Sequence, residues 1–266
     1  MGDLLNILGL SFLGSVVALL GGVVFLLKKS WSEWLSSHSV PFAAGVLLTV
    51  SLMGLLPEAV DAYGEGAFMI ALLAFLAAYL FENSFFDIHH HSYDCKHGLM
   101  RYRAAIPLVI IGDTIHNFID GVTIAAAYMI SPGLGVVTMT STFLHEVPHE
   151  IGDFGILLGA GWKRRDVLMI NIFSSLFTIL GAIMVFFWMN DPQIIGILLA
   201  ISAGLFLYLG SSDFLPHINS GEIGKKQAII ALLVGVMVMF LTIKAIPHSH
   251  DDDHDNEYVE QTVAME

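Results

Sequence analysis

The chain has 266 residues, of which 56% are hydrophobic and 13% are charged, and its mean hydropathy is +0.75. Soluble domains carry about 25% charged residues, so this composition excludes an ordinary soluble protein and predicts a membrane protein. The net charge of −13 gives no reason to expect a nucleic-acid partner. The single cysteine, Cys95, excludes both a disulfide framework and a thiolate metal cage.

Apolar segments of about twenty residues recur along the chain, and each is long enough to cross a hydrocarbon core of about 30 Å. They predict an all-α polytopic membrane protein with eight transmembrane helices embedded in a lipid bilayer. The second and seventh segments are the least regular, because Ser, Gly and Pro interrupt them. In chain order, the predicted spans cover residues 3–27, 39–60, 66–84, 104–129, 133–160, 167–189, 192–213 and 226–246.

Lysine and arginine are confined almost entirely to alternate connections between these spans. By the positive-inside rule those connections lie in the cytoplasm, and an even number of spans then places both termini outside. We expect a multi-pass protein of the plasma membrane, and the compact chain suggests a prokaryotic cytoplasmic membrane. The basic connections contain Lys28 and Lys29; Lys96, Arg101 and Arg103; Lys163, Arg164 and Arg165; and Lys225 and Lys226.

Ionisable side chains lie in the middle of the fourth and fifth spans. A charge at that depth costs at least ~2.5–3.5 kcal/mol, so two such clusters indicate a buried polar or metal site. Helical spacing puts each cluster on one helix face, where imidazole, amide and carboxylate groups can meet in one small volume. Such a nitrogen-and-oxygen set suits Zn²⁺, and also Fe²⁺ or Mn²⁺. The candidate ligands are His116, Asn117, Asp120, His145, Glu146, His149 and Glu150, with Asp113 and Asp153 on the same faces.

Pro148 lies inside the fifth span, between the candidate ligands. Proline cannot donate a hydrogen bond to the carbonyl of Leu144, so it predicts a kink in the helix. A freed carbonyl at membrane depth is tolerated where it lines a wet cavity, and broken helices at the midplane are typical of transporter binding sites.

An alternative reading of the same stretch is an intramembrane zinc metalloprotease. The residues from His145 to His149 match the H-E-x-x-H pattern, in which two histidines bind zinc and the glutamate is the general base. Two features argue against this hypothesis. Proline fits poorly in a motif that needs a regular helix, and the fourth span supplies more ligands than a protease requires.

The fourth span contains H-N-F-x-D-G from His116 to Gly121, and the fifth contains H-E-x-P-H-E-x-G-D from His145 to Asp153. Together these two motifs resemble the signature pair of the ZIP (Zrt/Irt-like) divalent metal transporters. The match is most similar to the subfamily with His-rich loops, and it covers essentially the whole chain. Residues 1–247 would then form the transmembrane metal-transport domain. Its cytoplasmic loop at 85–103 contains three consecutive histidines, and an acidic, His-rich tail at 248–266 is predicted to be disordered outside.

The resemblance implies a carrier, not an enzyme, that moves Zn²⁺ into the cytoplasm through a binuclear site between the fourth and fifth spans. Fe²⁺, Mn²⁺ and Cd²⁺ are further candidate substrates, and no organic cofactor is expected. It also implies a homodimer and an elevator-like motion of spans 1, 4, 5 and 6 against the others. One metal position would use His116, Asp120, His145 and His149, and the other would use Asn117, Glu146 and Glu150. The sixth span carries Asn171, Ser174, Ser175 and Thr178 but no carboxylate.

Overall fold

The structure is a computed structural model, and it describes residues 2–19, 23, 29–85, 98–189, 191–215 and 224–247. The three consecutive histidines that start at His89, together with His97 and Cys95, lie outside the described residues. The predicted tail at 248–266 also lies outside them.

Helices account for nearly all of the described chain, and no strand occurs in those residues. Single π-helical turns extend α1 at Phe12–Val16, join α2 to α3 at Ser51–Leu55, and extend α8 at Leu209–Phe214. The all-helical fold class is therefore confirmed. The helices are α1 (Gly2–Ser11), α2 (Lys29–Val50), α3 (Leu56–Tyr63), α4 (Gly66–Phe85), α5 (Gly98–Ile130), α6 (Pro132–Gly159), α7 (Arg164–Trp188), α8 (Pro192–Tyr208) and α9 (Lys225–Ala245).

Four stretches of the described chain are long and apolar enough to cross a membrane: His38–Tyr63, Arg164–Trp188, Pro192–Ser212 and Lys225–Ala245. Helices α5 and α6 have 33 and 28 residues and carry the ionisable clusters in their middles. These findings support a helical membrane protein, while the number of eight spans and the sides of the termini stay predictions.

Large apolar side chains are exposed along α4, α7 and α9, as at Leu73, Phe173 and Leu233. An apolar surface of that extent is typical of contact with lipid and not with water. Polar side chains are instead buried in the interior, including Asp120, Glu146 and Glu150. Apolar side chains thus lie outside and polar side chains inside, which is the reverse of their distribution in a soluble protein. The buried carboxylates named here lie on α5 and α6.

Helices α5 and α7 touch backbone to backbone. A Cβ atom added at Gly121 of α5 would overlap the carbonyl of Thr178, and one added at Gly181 of α7 would overlap the carbonyl of Phe118. Small residues permit such close approach in membranes, where packing and not the hydrophobic effect holds helices together. The reciprocal pair of glycines fixes α5 against α7 at the depth of the ionisable cluster.

Two other helix pairs are equally close. A Cβ atom at Gly45 of α2 would overlap the backbone at Leu232 of α9, and one at Gly235 would overlap Phe42. Gly204 brings α8 against the carbonyl of Ala71 in α4. The helices therefore associate in pairs, and α6 lies between α5 on one side and α2 on the other.

The turn between α5 and α6 is a single residue outside both helices. Ser131 caps α6 by accepting a hydrogen bond from the backbone N–H of Leu134 at 3.1 Å, and Pro132 occupies the first helical position. So short a connection makes α5 and α6 antiparallel neighbours. Helix α6 continues through Pro148 to Gly159 in the structure.

Candidate metal centre

Four side chains converge between α5 and α6, two from each helix. His116 and Asp120 come from α5, and His145 and Glu146 come from α6, and one ligand atom of each lies within 4.8 Å of the others. Asp120, His145 and Glu146 are fully buried, and the side chain of His116 is 14% exposed. Both helices contribute because the ionisable clusters of the fourth and fifth predicted spans lie at the same depth in two antiparallel neighbours.

The separations between these ligand atoms suit a tetrahedral metal. His145 Nε2 is 3.2 Å from His116 Nε2 and 3.3 Å from Asp120 Oδ2. His116 Nε2 is 3.3 Å from Glu146 Oε2 and 3.8 Å from Asp120 Oδ2. Ligand atoms about 2.0–2.1 Å from a tetrahedral zinc ion stand about 3.3 Å apart. Four of the six separations among these atoms, at 3.2–3.8 Å, are therefore close to the spacing that Zn²⁺ requires, and the other two lie within 4.8 Å.

The orientation of His145 is fixed by its own helix. Its Nδ1 lies 2.8 Å from the main-chain carbonyl oxygen of Ser141. A carbonyl oxygen can only accept, so Nδ1 carries the proton and the lone pair lies on Nε2. Metal-bound histidines commonly show this arrangement, in which the second ring nitrogen donates to a carbonyl. The Nε2 atom of His145 is thus presented to the cluster as a ready metal ligand.

The buried carboxylates have no lysine or arginine beside them on α5 or α6. Both oxygens of Asp120, Glu146 and Glu150 are buried without a hydrogen-bond partner among the described residues. Neither α6 nor α5 after Arg103 contains a lysine or an arginine, so His116 and His145 are the basic groups that approach Asp120 and Glu146. Several buried carboxylates without a permanent counter-charge are costly, and a divalent cation supplies that charge. The chemistry of the centre therefore favours cation binding.

A second group of ligand atoms lies about one helical turn away, before His116 on α5 and after His145 on α6. Asp113 forms one possible cluster with His149 and Asp153, and another with Glu146 and Glu150. His149 Nδ1 is 3.7 Å from Asp113 Oδ1, and the His149 side chain is 20% exposed. Glu146 belongs to groups on both levels. It is therefore the side chain whose position allows it to bridge two metal ions.

Asn117 lies beside the centre as the junction of a buried hydrogen-bond network. Its side-chain oxygen accepts from Ser15 Oγ at 2.6 Å and from Thr178 Oγ1 at 3.0 Å. Its amide nitrogen donates to Asp113 Oδ1 at 2.8 Å. The network connects α5 with α7 and with the π turn that follows α1. In this structure the amide oxygen is therefore occupied by hydroxyl donors.

The polar stripe of α7 divides into two kinds of residue. Ser174 donates a short hydrogen bond to Asp113 Oδ2, and Thr178 donates to Asn117. Asn171 and Ser175 instead donate to carbonyls of α7 itself. The contribution of α7 to the centre is therefore made of hydroxyl groups that orient side chains of α5.

The structure brings His116, Asp120, His145 and Glu146 together, and it places His149 and Glu150 on the second level. Asp113 takes part in both second-level groups. The sequence placed it on the ligand-bearing face of α5, because residues three apart share a helix face, but neither of the expected metal positions included it. Phe206 of α8, whose ring centre is 5.3 Å from that of His145, was not among the predicted site residues.

A helical membrane protein with a buried nitrogen-and-oxygen cluster is the class that this geometry defines. Comparison with known proteins gives the family: the model of the ZIP zinc transporter family matches residues 87–243, more than half of the chain. The chain belongs to the ZIP zinc transporter family. The predicted membership in its subfamily with His-rich loops stays a prediction.

Three relatives illustrate the extent of the similarity. Zinc transporter ZIP13 of Pongo abelii is 29% identical over 263 residues, which cover 87% of this chain and 77% of that protein. Zinc transporter foi of Drosophila melanogaster is 33% identical over 137 residues, and zinc transporter ZIP4 of Homo sapiens is 38% identical over 109 residues. Those matches cover 50% and 41% of this chain but only 19% and 17% of the two relatives.

Proposed function

We propose that this protein is a secondary transporter that carries Zn²⁺ across the membrane. The metal is held between α5 and α6 by His116, Asp120, His145 and Glu146. The observation that carries the proposal is the spacing of their four ligand atoms, which matches tetrahedral zinc inside two long helices. The relatives named above are zinc transporters, which supports zinc as the substrate.

A second metal position completes the proposed centre. Glu146 bridges the two levels, and Glu150, His149 and Asp113 provide further ligands. Asn117 joins the second position only by exchanging its hydrogen bonds from Ser15 and Thr178 for a metal contact. The nitrogen-and-oxygen donor set also suits Fe²⁺ and Mn²⁺. The family resemblance adds Cd²⁺ to the substrates that we propose.

We propose transport from outside into the cytoplasm. His116 and His149 are partly exposed, whereas His145 and Ser141, toward the predicted outer end of α6, are fully buried. The more exposed histidines thus lie toward the predicted cytoplasmic end, which supports a state that releases metal inward.

The hydrogen bonds and glycine contacts support a division into two bodies. The Asn117 network and the Gly121–Gly181 pair connect α5, α7 and the π turn after α1. We propose that α1, α5, α6 and α7 slide as one body against the remaining helices, and that two copies of the chain form a homodimer.

Purified protein in liposomes provides the direct test of transport. Zinc added outside should accumulate within the vesicles, and excess Fe²⁺, Mn²⁺ or Cd²⁺ should reduce that uptake if these ions share the centre. No uptake above that of protein-free liposomes would contradict the proposed function.

The proposed orientation predicts which positions an impermeant thiol reagent can reach. In a Cys95→Ser background, Ser131→Cys and Asp191→Cys should be labelled from outside intact cells. Arg164→Cys should be labelled only after the membrane is permeabilised, because basic connections stay in the cytoplasm. Labelling of Arg164→Cys in intact cells would reverse the proposed orientation.

The protease alternative requires His145 and His149 to bind the same zinc ion. Among the metal-capable groups of the described residues, none contains both histidines. His145 meets His116 and Asp120, while His149 lies near Asp113 on the other level. The comparisons give relatives that are zinc transporters, and the geometry likewise favours transport.

Glu146→Gln separates the two functions. A protease would lose its general base and all cleavage while still binding zinc. A transporter should lose about tenfold or more of its zinc uptake, because a carboxylate ligand becomes a neutral amide. Zinc uptake into liposomes measures this loss, and Glu65→Gln, an exposed carboxylate in the turn before α4, is the matched control. Glu146-dependent cleavage of a membrane substrate would contradict the proposal.

A further inference from the structure

Three hydroxyl groups of α6 are buried on the predicted outer side of His145. Thr138, Ser141 and Thr142 have no solvent exposure, and none of their hydroxyl groups forms a hydrogen bond within the part of the chain that the structure describes. They precede His145 by seven, four and three residues, so all four side chains share one face of the helix. The metal centre is therefore continued outward by a stripe of hydroxyl groups.

Four threonine hydroxyls elsewhere in the described chain are satisfied by their own helices, whereas Ser11 and Ser39 are, like the stripe, buried without a partner among the described residues. Thr49, Thr114, Thr123 and Thr140 each donate to the carbonyl four residues earlier, at 2.7–2.8 Å. Thr140 lies on α6 itself, so the geometry of this helix permits such a bond. The three stripe hydroxyls instead remain buried polar groups without partners, which lowers stability unless another molecule binds them.

The π turn after α1 packs against the stripe. Thr142 packs against Gly14 in the π turn after α1, where a Cβ atom would lie 3.3 Å from the threonine methyl group. In the π turn between α2 and α3, Ser51 donates its hydroxyl to the carbonyl of Leu47 at 2.7 Å. The hydroxyl of Ser51 is thus satisfied by the preceding helix, while those of the α6 stripe have no partner among the described residues.

We propose that Thr138, Ser141 and Thr142 line the part of the entry path next to His145, along which a partly dehydrated divalent cation arrives from outside. This inference rests on the proposed transport function. Seven residues of helix span about 10 Å, which is half of the distance from Pro132 to His145. Neutral hydroxyl oxygens replace water molecules around a hard cation, and they release it more readily than carboxylates do.

Removing only the hydroxyls tests this path. The triple variant Thr138→Val, Ser141→Ala, Thr142→Val preserves side-chain size and the carbonyl of Ser141 that orients His145. Zinc uptake into liposomes, measured below saturation, should fall about tenfold, the effect of losing one or two hydrogen-bond equivalents. Equilibrium binding of Co²⁺ to the purified protein should stay within about twofold of the parent protein. The melting temperature should not fall, because the removed hydroxyls have no partners within the protein.

Thr140→Val is the matched control, because its hydroxyl already donates to Val136, and it should leave uptake unchanged. Uptake by the triple variant equal to that of the parent would overturn the inference while leaving the proposed function intact. A parallel loss of Co²⁺ binding or of melting temperature would also overturn it, because the hydroxyls would then act in folding. If the triple variant does not fold, Ser141→Ala alone replaces it, with the same readouts and an expected loss of about threefold.

Failure of the parent protein itself to take up zinc would contradict the proposed function and the path together. A labelling experiment adds a second measurement in a Cys95→Ser background. Thr138→Cys should react with an impermeant thiol reagent from outside, and Cd²⁺ should slow that reaction. A Thr138→Cys protein that transports zinc but is never labelled from outside would overturn the path.

Discussion

His145→Ala is expected to lower zinc uptake by about 100-fold or more at normal expression. Its Nε2 atom lies 3.2–3.3 Å from ligand atoms of His116 and Asp120, so the imidazole is one of the four ligands of the group. Removing a partner of a metal ligand already costs 10–100-fold in affinity, and loss of the ligand itself should cost more. His116→Ala should have a comparable effect, because His116 contacts the same group.

The measurement pairs zinc uptake into liposomes with Co²⁺ absorption spectra, which report tetrahedral coordination. His145→Ala should abolish the tetrahedral spectrum, whereas His149→Ala should retain it and lower uptake about tenfold, because His149 lies on the second level. His38→Ala on α2 is the matched control and should behave like the parent protein. Zinc uptake by His145→Ala at the parental rate over a range of concentrations would show that the centre is misplaced.

Gly121→Ala is expected to disrupt the protein, although it adds only one methyl group. That methyl group would overlap the backbone of Thr178, so α5 and α7 would have to separate. Overpacking of this kind costs about 1–3 kcal/mol or more, and the backbone position cannot relax as a side chain does. The separation would also pull Thr178 away from Asn117 and displace His116. We expect a lower melting temperature in detergent together with loss of most zinc uptake.

Gly112→Ala provides the control on the same helix. A Cβ atom at Gly112 meets no other atom within 4 Å among the described residues, and alanine favours a helix by about 1 kcal/mol over glycine. This variant should be as stable as the parent protein or more so. If Gly121→Ala melts and transports like Gly112→Ala, the close contact between α5 and α7 does not exist in the membrane.

Much of the fold follows from hydropathy, because each apolar segment must bury its backbone hydrogen bonds in a helix. The predicted span 133–160 corresponds to α6 at Pro132–Gly159 within one residue at each end. Where a helix continues into water, hydropathy cannot show its end. For that reason α5 begins at Gly98, six residues before the predicted span, and α2 begins at Lys29, ten residues before it.

The π turns could not be predicted from the sequence. A turn of five or six residues contains too few side chains for a change in the helical period to show in the hydropathy pattern. Two of them, at Ser51–Leu55 and Leu209–Phe214, lie in the spans that Ser, Gly and Pro make irregular. The irregularity was therefore visible in the sequence, but its structural form was not.

The motif spacing predicted which helix faces carry the ligands, and the structure brings those faces together. It did not predict how α5 and α6 are aligned along their axes. His145 and His149 are about 6 Å apart along α6, so the axial alignment decides which histidine meets Asp120. In the structure His145 meets Asp120 and His149 meets Asp113. Assignment of individual ligands to the two metal positions stays a prediction.

The π turn between α2 and α3 also determines how the chain tolerates a change of length. A π turn contains one residue more than an α-helical turn, so deletion of one residue within Ser51–Leu55 leaves a regular α-helix. Glu58, which is buried on α3, keeps its side of that helix. The same deletion between Asp113 and His116 has no surplus residue to remove, and it rotates the preceding part of α5 by about 100° relative to the part that follows. Within the helices, loss of a single residue is therefore tolerated at the π turn, while α5 must keep its length between the ligands.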